Sequence, residues 1–144
     1  MLSKACQYAV KATIIIARQS QLDQHVSLKS VAKEIKTPVA FTAKILQRLA
    51  KEGCIQSVKG QEGGYKIPKS KLSKLTLIQI VKAIDGDSIY TSCILGLAQC
   101  SEQHPCPVHS SFKVIRGRFR NMLESTRIIN LVKKLDDGST FLKK

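Results

Sequence analysis

The 144-residue sequence predicts a mainly α-helical fold: a winged helix-turn-helix with a small two-stranded wing, then a long C-terminal dimerisation helix. Three observations predict it. Three helical apolar patterns are followed directly by two strand-like runs around a glycine-rich loop. Nearer the C-terminus, apolar residues recur at alternating three- and four-residue steps. Finally, 24 Lys and Arg stand against 10 Asp and Glu, a net charge of +14, which favours a polyanionic partner.

The first helix is opened by Ser3, whose hydroxyl suits an N-cap, and Cys6, Ala9, Val10, Thr13, Ile14 and Ala17 line one face to about residue 18. Ser27 caps a short second helix carrying Leu28, Val31, Ala32 and Ile35. Thr37-Pro38 restarts the chain, because a threonine hydroxyl can take orphan helix amides and proline at the first helical position forfeits no hydrogen bond. The third helix is expected over residues 38–51, ending at Gly53. Residues 54–58 and 65–68 read as strands flanking Lys59-Gly60-Gln61-Glu62-Gly63-Gly64, whose glycines permit a tight hairpin. Residues 70–75 read as a linker, and Thr76 with Gln79 has capping-box spacing ahead of Leu77, Ile80, Val81 and Ile84.

Residues 87–107 show no sustained period, and a loop of that length is uncommon in a compact domain unless it is functional. Beyond it Phe112, Ile115, Phe119, Met122, Thr126 and Ile129 predict one helix over residues 110–134, roughly 37 Å long at the α-helical rise. A single winged helix cannot cover that seam, so a symmetric homodimer with this helix near the axis is expected. The organisation predicted is a DNA-binding winged helix at 1–75, a core helix and cysteine-rich loop at 76–109, the dimerisation helix at 110–135 and a flexible tail at 136–144.

Composition narrows the function classes. Apolar residues make up 43% and charged residues 24%, as in a folded domain, and the chain is too short for a large multidomain enzyme. The longest apolar run, residues 12–17, is far below the roughly 20 residues of a membrane span, so a cytoplasmic protein without membrane association is expected. Five cysteines, an odd number, argue against a disulfide framework.

Three of those cysteines lie within fourteen residues, in the pattern Cys93-x6-Cys100-x5-Cys106-x2-His109. Thiolates and imidazole are ligands for iron–sulfur clusters, zinc or copper(I). The short paired-cysteine chelate of structural zinc sites is missing, and the wider spacing suits a loop wrapped around a polynuclear centre. Zinc and unligated redox thiols remain as the alternatives. Pro105 and Pro107 stiffen the backbone around Cys106. His109, at the start of a helix beside Cys106, is preferred over His104 as the imidazole ligand. Cys6 and Cys54 read as small core residues. A rival reading makes Cys106 and His109 a catalytic thiol and base, but no third orienting residue accompanies them.

The Tyr8-Ala9-Val10 stretch, the Arg48-Leu49-x3-Gly53 helix end, the wing Ser57-Val58-Lys59-Gly60-x2-Gly63-Gly64-Tyr65 and the three-cysteine loop together resemble the IscR/NsrR-type family of winged-helix iron–sulfur transcriptional regulators, over about residues 2–134. The resemblance implies a dimeric transcription factor, not an enzyme, that binds double-stranded DNA according to the state of its cluster. It also implies Cys93, Cys100, Cys106 and His109 as ligands in an IscR-like pattern, and with them a 2Fe-2S cluster. NsrR-like members take a carboxylate from the first helix and commonly hold 4Fe-4S; Gln7 and Tyr8 supply no acid there. A cluster-donor or effector protein is a further expected partner. A metal-free regulator of the same fold, controlled by thiol oxidation or by a protein partner, is the alternative.

The expected DNA-binding residues are Ser27, Thr37, Ala40, Phe41, Thr42, Lys44, Arg48, Lys59 and Gly60. The N-terminal part of a recognition helix meets base edges, which places Thr42 and Lys44 in the major groove with Ala40 and Phe41 in apolar contact. Lys59 beside Gly60 resembles the family's wing base, where a cation enters the minor groove.

Overall fold

The computed structural model describes residues 1–143. Helix α1 (Lys4–Gln21) is capped by Ser3, whose hydroxyl accepts from the Cys6 amide at 3.0 Å. It runs three residues past the expected end because Ser20 is still buried, its hydroxyl donating to the Ile16 carbonyl and accepting from the Ile67 amide at 2.9 Å. Residues 12–17 are all buried, and the alanines among them let neighbouring elements approach closely, which makes α1 the central strut.

Helices α2 (Leu28–Ile35) and α3 (Val39–Lys51) form the helix-turn-helix. The turn between them needs Lys36 at φ +56, a left-handed conformation. The entry to α3 differs from expectation: Pro38 occupies the cap position and no side chain caps the helix. The Thr37 hydroxyl instead donates to the Thr42 hydroxyl at 2.7 Å, which donates on to the Pro38 carbonyl at 3.0 Å. Thr42 shares a face with Ile45, Leu46 and Leu49 and is completely buried.

Strands β1 (Gln56–Val58) and β2 (Gly64–Lys66) pair antiparallel with Ser57 opposite Tyr65, each shorter than predicted. Tyr65 also exchanges backbone hydrogen bonds with Val26, at 2.9 and 2.8 Å, fastening the wing to the segment before α2. That approach requires glycine at 64, where a Cβ would stand 2.2 Å from the Val26 carbonyl oxygen. Gly60 turns the wing at φ +116.

The predicted linker contains a one-turn helix, α4 (Lys69–Leu72), begun at Pro68. Helix α5 (Leu77–Asp85) opens with the expected capping box, the Thr76 amide donating to Gln79 Oε1 at 2.9 Å. Its last turn ties three elements together. Asp85 accepts from the Ser3 amide and hydroxyl at the start of α1, and the Ala83 carbonyl accepts from Arg48 Nε on α3 at 2.8 Å. After a short α6 (Ser88–Thr91) the cysteine loop leads into α7 (His109–Ser125).

The single C-terminal helix is corrected. The chain breaks at Thr126 and Arg127, both extended, and resumes as α8 (Ile128–Asp136). The Leu77 amide donates to the Thr126 carbonyl and the Ile128 amide to the Leu75 carbonyl, both at 2.9 Å, so the break is stitched to the strand-like entry of α5. This lets α8 turn back onto α1, burying Ile128 and Val132 in the main core. Only α7, about 26 Å long, keeps the character of the predicted seam. A smaller core of Cys6, Val81, Tyr90 and Leu123 lies where α5, α6 and α7 meet. The predicted tail is fastened near its start, by Arg18 Nε to Asp136 Oδ1 at 2.9 Å and by Ser139 to the Lys134 carbonyl, and Phe141 is exposed. Lys144, the end of that tail, lies outside the described residues.

Candidate metal centre and nucleic-acid interface

The cysteine loop is anchored at both ends. At its start Tyr90 is buried beneath α7, and at its end the His109 amide donates to the Cys106 carbonyl at 3.0 Å, closing the turn into α7. The four expected ligands meet in two pairs. Cys93 Sγ lies 3.8 Å from Cys106 Sγ, and Cys100 Sγ lies 3.4 Å from His109 Nδ1. Cys93 and His109 are buried, Cys100 and Cys106 half-buried. His104 is exposed on a turn whose amides are taken by the Ser101 hydroxyl, well outside the pairing.

Local electrostatics favour anionic sulfur. The backbone N–H groups of Leu95 and Leu97, with the Cys106 contact and the Arg116 charge, hold the Cys93 thiol below its ordinary value against the opposing effect of burial. Arg116 Nη1 also reaches Cys100 Sγ at 3.1 Å. His109 presents Nδ1 to Cys100, while its Nε2 is buried without a hydrogen-bond partner.

Three thiols and an imidazole are a donor set of the kind that holds iron–sulfur centres. Two thiolates on one tetrahedral metal, with bonds of about 2.3 Å, stand about 3.8 Å apart, and a thiolate with an imidazole nitrogen about 3.5 Å apart. The two pairs match those separations. Among the described residues no three ligating side chains gather closely enough to hold a single ion.

Cys6 and Cys54 take no part. Burial, with the Asp85 charge, pushes the Cys6 thiol up to about 12, and burial, with Glu52, pushes Cys54 up to about 11. At pH 8 iodoacetamide should therefore label the loop cysteines of metal-free protein and leave Cys6 and Cys54 untouched; peptide mass spectrometry reads this, and equal labelling would contradict their burial. Both values exceed the unfolded 9.0, so the stabilisation from keeping these thiols neutral is complete below about pH 9 and is lost as pH rises through 11 to 12.

The second surface is the outer face of α3 with the wing. Ala40, Phe41 and Lys44 are exposed as expected, and the Phe41 ring packs edge-on against Tyr8 with centroids 6.0 Å apart. Gln47 and Lys51 share this face; Lys51 belongs with Lys44 and Arg48 to the cations expected on this helix, whereas Gln47 was overlooked although it falls three residues after Lys44. Thr42 is corrected: at 0% exposure it cannot reach a base edge, because it continues the buried stripe of Ile45, Leu46 and Leu49. The Thr37 hydroxyl is committed to Thr42, and Arg48 Nε to the Ala83 carbonyl. Ser27 is exposed, its hydroxyl capping α2 by accepting from the Ser30 amide at 3.2 Å. Lys59 and Gly60 are exposed at the turn of the wing.

Comparison with known proteins converges on one class. The family Rrf2, described as an iron-dependent transcriptional regulator, matches residues 2–134. A protein of Aquifex aeolicus named as an HTH-type transcriptional regulator is 30% identical over 134 residues, covering 92% of this chain and 91% of that one. The transcriptional regulator IscR of Yersinia pestis is 27% identical over 135 residues, covering 94% of this chain and 80% of its own. The structure of CymR, the global cysteine regulator of B. subtilis, superposes with a TM-score of 0.77 at 20% identity over 92% of this chain and 96% of that one, a likeness of fold. The matched family and these relatives are regulators of transcription rather than enzymes.

Proposed function

The chain belongs to the Rrf2 family of DNA-binding transcriptional regulators, and from that membership we propose that it is a cytoplasmic homodimer that binds double-stranded DNA according to the state of an iron–sulfur cluster, 2Fe-2S by preference, held by Cys93, Cys100, Cys106 and His109. The observation that carries the reading is the pairing of those four side chains at 3.8 and 3.4 Å. When bound, the cluster supplies a redox-active centre open to oxygen, nitric oxide or changes in iron supply.

The chain's own residues supply the reading head and the coupling. Lys44 and Gln47 would face base edges in the major groove, glutamine being suited to adenine, with Ala40 and Phe41 in apolar contact. Lys59 and Gly60 would enter the minor groove, and Ser27, Thr37 and Lys51 would lie along the phosphates. The apolar outer face of α7, with Val114, Ile115 and Met122 exposed, would meet its copy in the dimer. The last turn of α5 connects the two sites: it leads through α6 into the cysteine loop, while Ala83 holds Arg48 of the reading helix and Asp85 holds Ser3. Ordering of the loop therefore bears on where α3 sits, and in a dimer on the spacing of two reading helices.

Protein prepared without oxygen should contain about two irons and two acid-labile sulfides per chain, with visible absorption. Colourless protein holding zinc or no metal would overturn the assignment. His109→Ala should shift the spectrum or shorten the lifetime of the cluster in air. Substituting Lys59 by alanine should weaken binding across sequences and reduce the dependence of log affinity on log salt by about two, one for each protomer of the dimer. A second reading is favoured by the Cys93–Cys106 contact, at which oxidation of metal-free protein would form a reversible disulfide. Operator binding that follows thiol oxidation in iron-free protein would support it instead.

A further inference from the structure

Arg116 is not itself a ligand, yet it reaches from α7 back to the start of the cysteine loop. Its Nη1 lies 3.0 Å from the Ser92 carbonyl, 3.4 Å from the Thr91 carbonyl and 3.1 Å from Cys100 Sγ. The guanidinium also lies 5.8 Å from the centroid of the Phe112 ring on the preceding turn. Lys113 and Arg120, by contrast, are answered by Glu102 and Glu124. Among the described residues no carboxylate pairs with Arg116; its partners are two backbone carbonyls and the Cys100 sulfur, and of these the sulfur is the one that can carry a charge.

We propose that Arg116 is a positioning residue for the cluster: it clamps the start of the cysteine loop to α7 and directs a charged hydrogen bond at Cys100, raising the reduction potential of the bound centre. The inference rests on the cluster reading above. Reduction adds one electron from an external one-electron donor, turning one ferric ion ferrous without breaking a bond. The added negative charge is stabilised by hydrogen bonds to the sulfurs and by nearby positive charge. His109 would be a neutral ligand, so an electron added to a bound centre would settle on the side held by Cys100 and His109, where Arg116 stands. The planar fork of arginine can reach carbonyl and sulfur together, which the point charge of lysine cannot reproduce.

The test is a dithionite titration of oxygen-free, cluster-loaded full-length protein, followed by absorbance and electron paramagnetic resonance. Arg116→Gln should lower the midpoint potential by an amount equivalent to about a tenfold change in the ratio of reduced to oxidised protein, about 59 mV for one electron. Arg116→Lys should recover part of that shift. Arg118→Gln, two residues along the same helix, should leave the potential unchanged. An Arg116→Gln protein with full iron content and the wild-type potential would overturn the inference, as would an equal shift from Arg118→Gln. Wild-type protein that never holds iron would overturn the cluster reading itself, a result distinguishable from either.

Discussion

Replacing Ile115 by glutamate is expected to give a monomer that binds paired half-sites about a hundredfold or more weakly than the wild type. Ile115 is 62% exposed in the single chain, so nothing in its own fold explains an isoleucine there. Burying it against a copy returns about 1.5–3 kcal/mol on each side. In a two-fold interface a glutamate at this position meets an apolar surface, and its charge must be desolvated in both protomers. Once the dimer is lost, the second half-site no longer benefits from the first, a factor of about 10²–10⁴ in avidity. Sedimentation equilibrium and operator binding measure the two effects, and thermal stability of the monomer should hardly change. A variant that stays dimeric at micromolar concentration would show that α7 does not form the interface.

Ile128→Ala carries the second large effect, a loss of about 2–5 kcal/mol in unfolding free energy. Ile128 is 1% exposed, packed in the main core directly after the break at Thr126 and Arg127. Its removal leaves a cavity at the point where α8 turns onto α1, and the backbone bond from its amide to the Leu75 carbonyl limits how far the site can collapse. Ile129→Ala, at a half-buried neighbour, should cost less. Urea unfolding read through circular dichroism decides the order. An uninterrupted helix would place Ile129 on the seam and reverse it, so a larger loss for Ile129→Ala would contradict the broken geometry.

The two isoleucines mark where reading the sequence succeeded and where it failed. Local signals were dependable: Ser3, Ser27 and the Thr76–Gln79 pair cap helices as their types and spacing predict, and the glycines shape the wing. Each depends on groups only a few residues apart. Thr42 was legible in principle, since it continues the spacing of Ile45, Leu46 and Leu49, but a hydroxyl near the start of a recognition helix reads equally well as a base contact. The clustered cysteines and His109 were visible as a ligand pattern, whereas their division into two pairs was not, because nothing in their spacing says which sulfur faces which. Arg116 read only as one of the basic flanks of the C-terminal helix, because the partners that set it apart lie 16 to 25 residues earlier in the chain.

From the sequence alone came the winged helix-turn-helix, the basic character that suits a polyanion and the sulfur-rich loop with its histidine, all of which follow from residue chemistry and short-range periodicity. Tertiary structure decided where the C-terminal helix breaks, which face of α3 remains exposed, and how the last turn of α5 is tied to α3 and to the start of α1. The periodicity of residues 110–134 is satisfied almost equally by one helix or by two. Burial of Ile128 and Val132 against α1, with the backbone bonds between residues 75–77 and 126–128, selects two. That free energy resides in contacts between segments about fifty to over a hundred residues apart, beyond the reach of any local pattern.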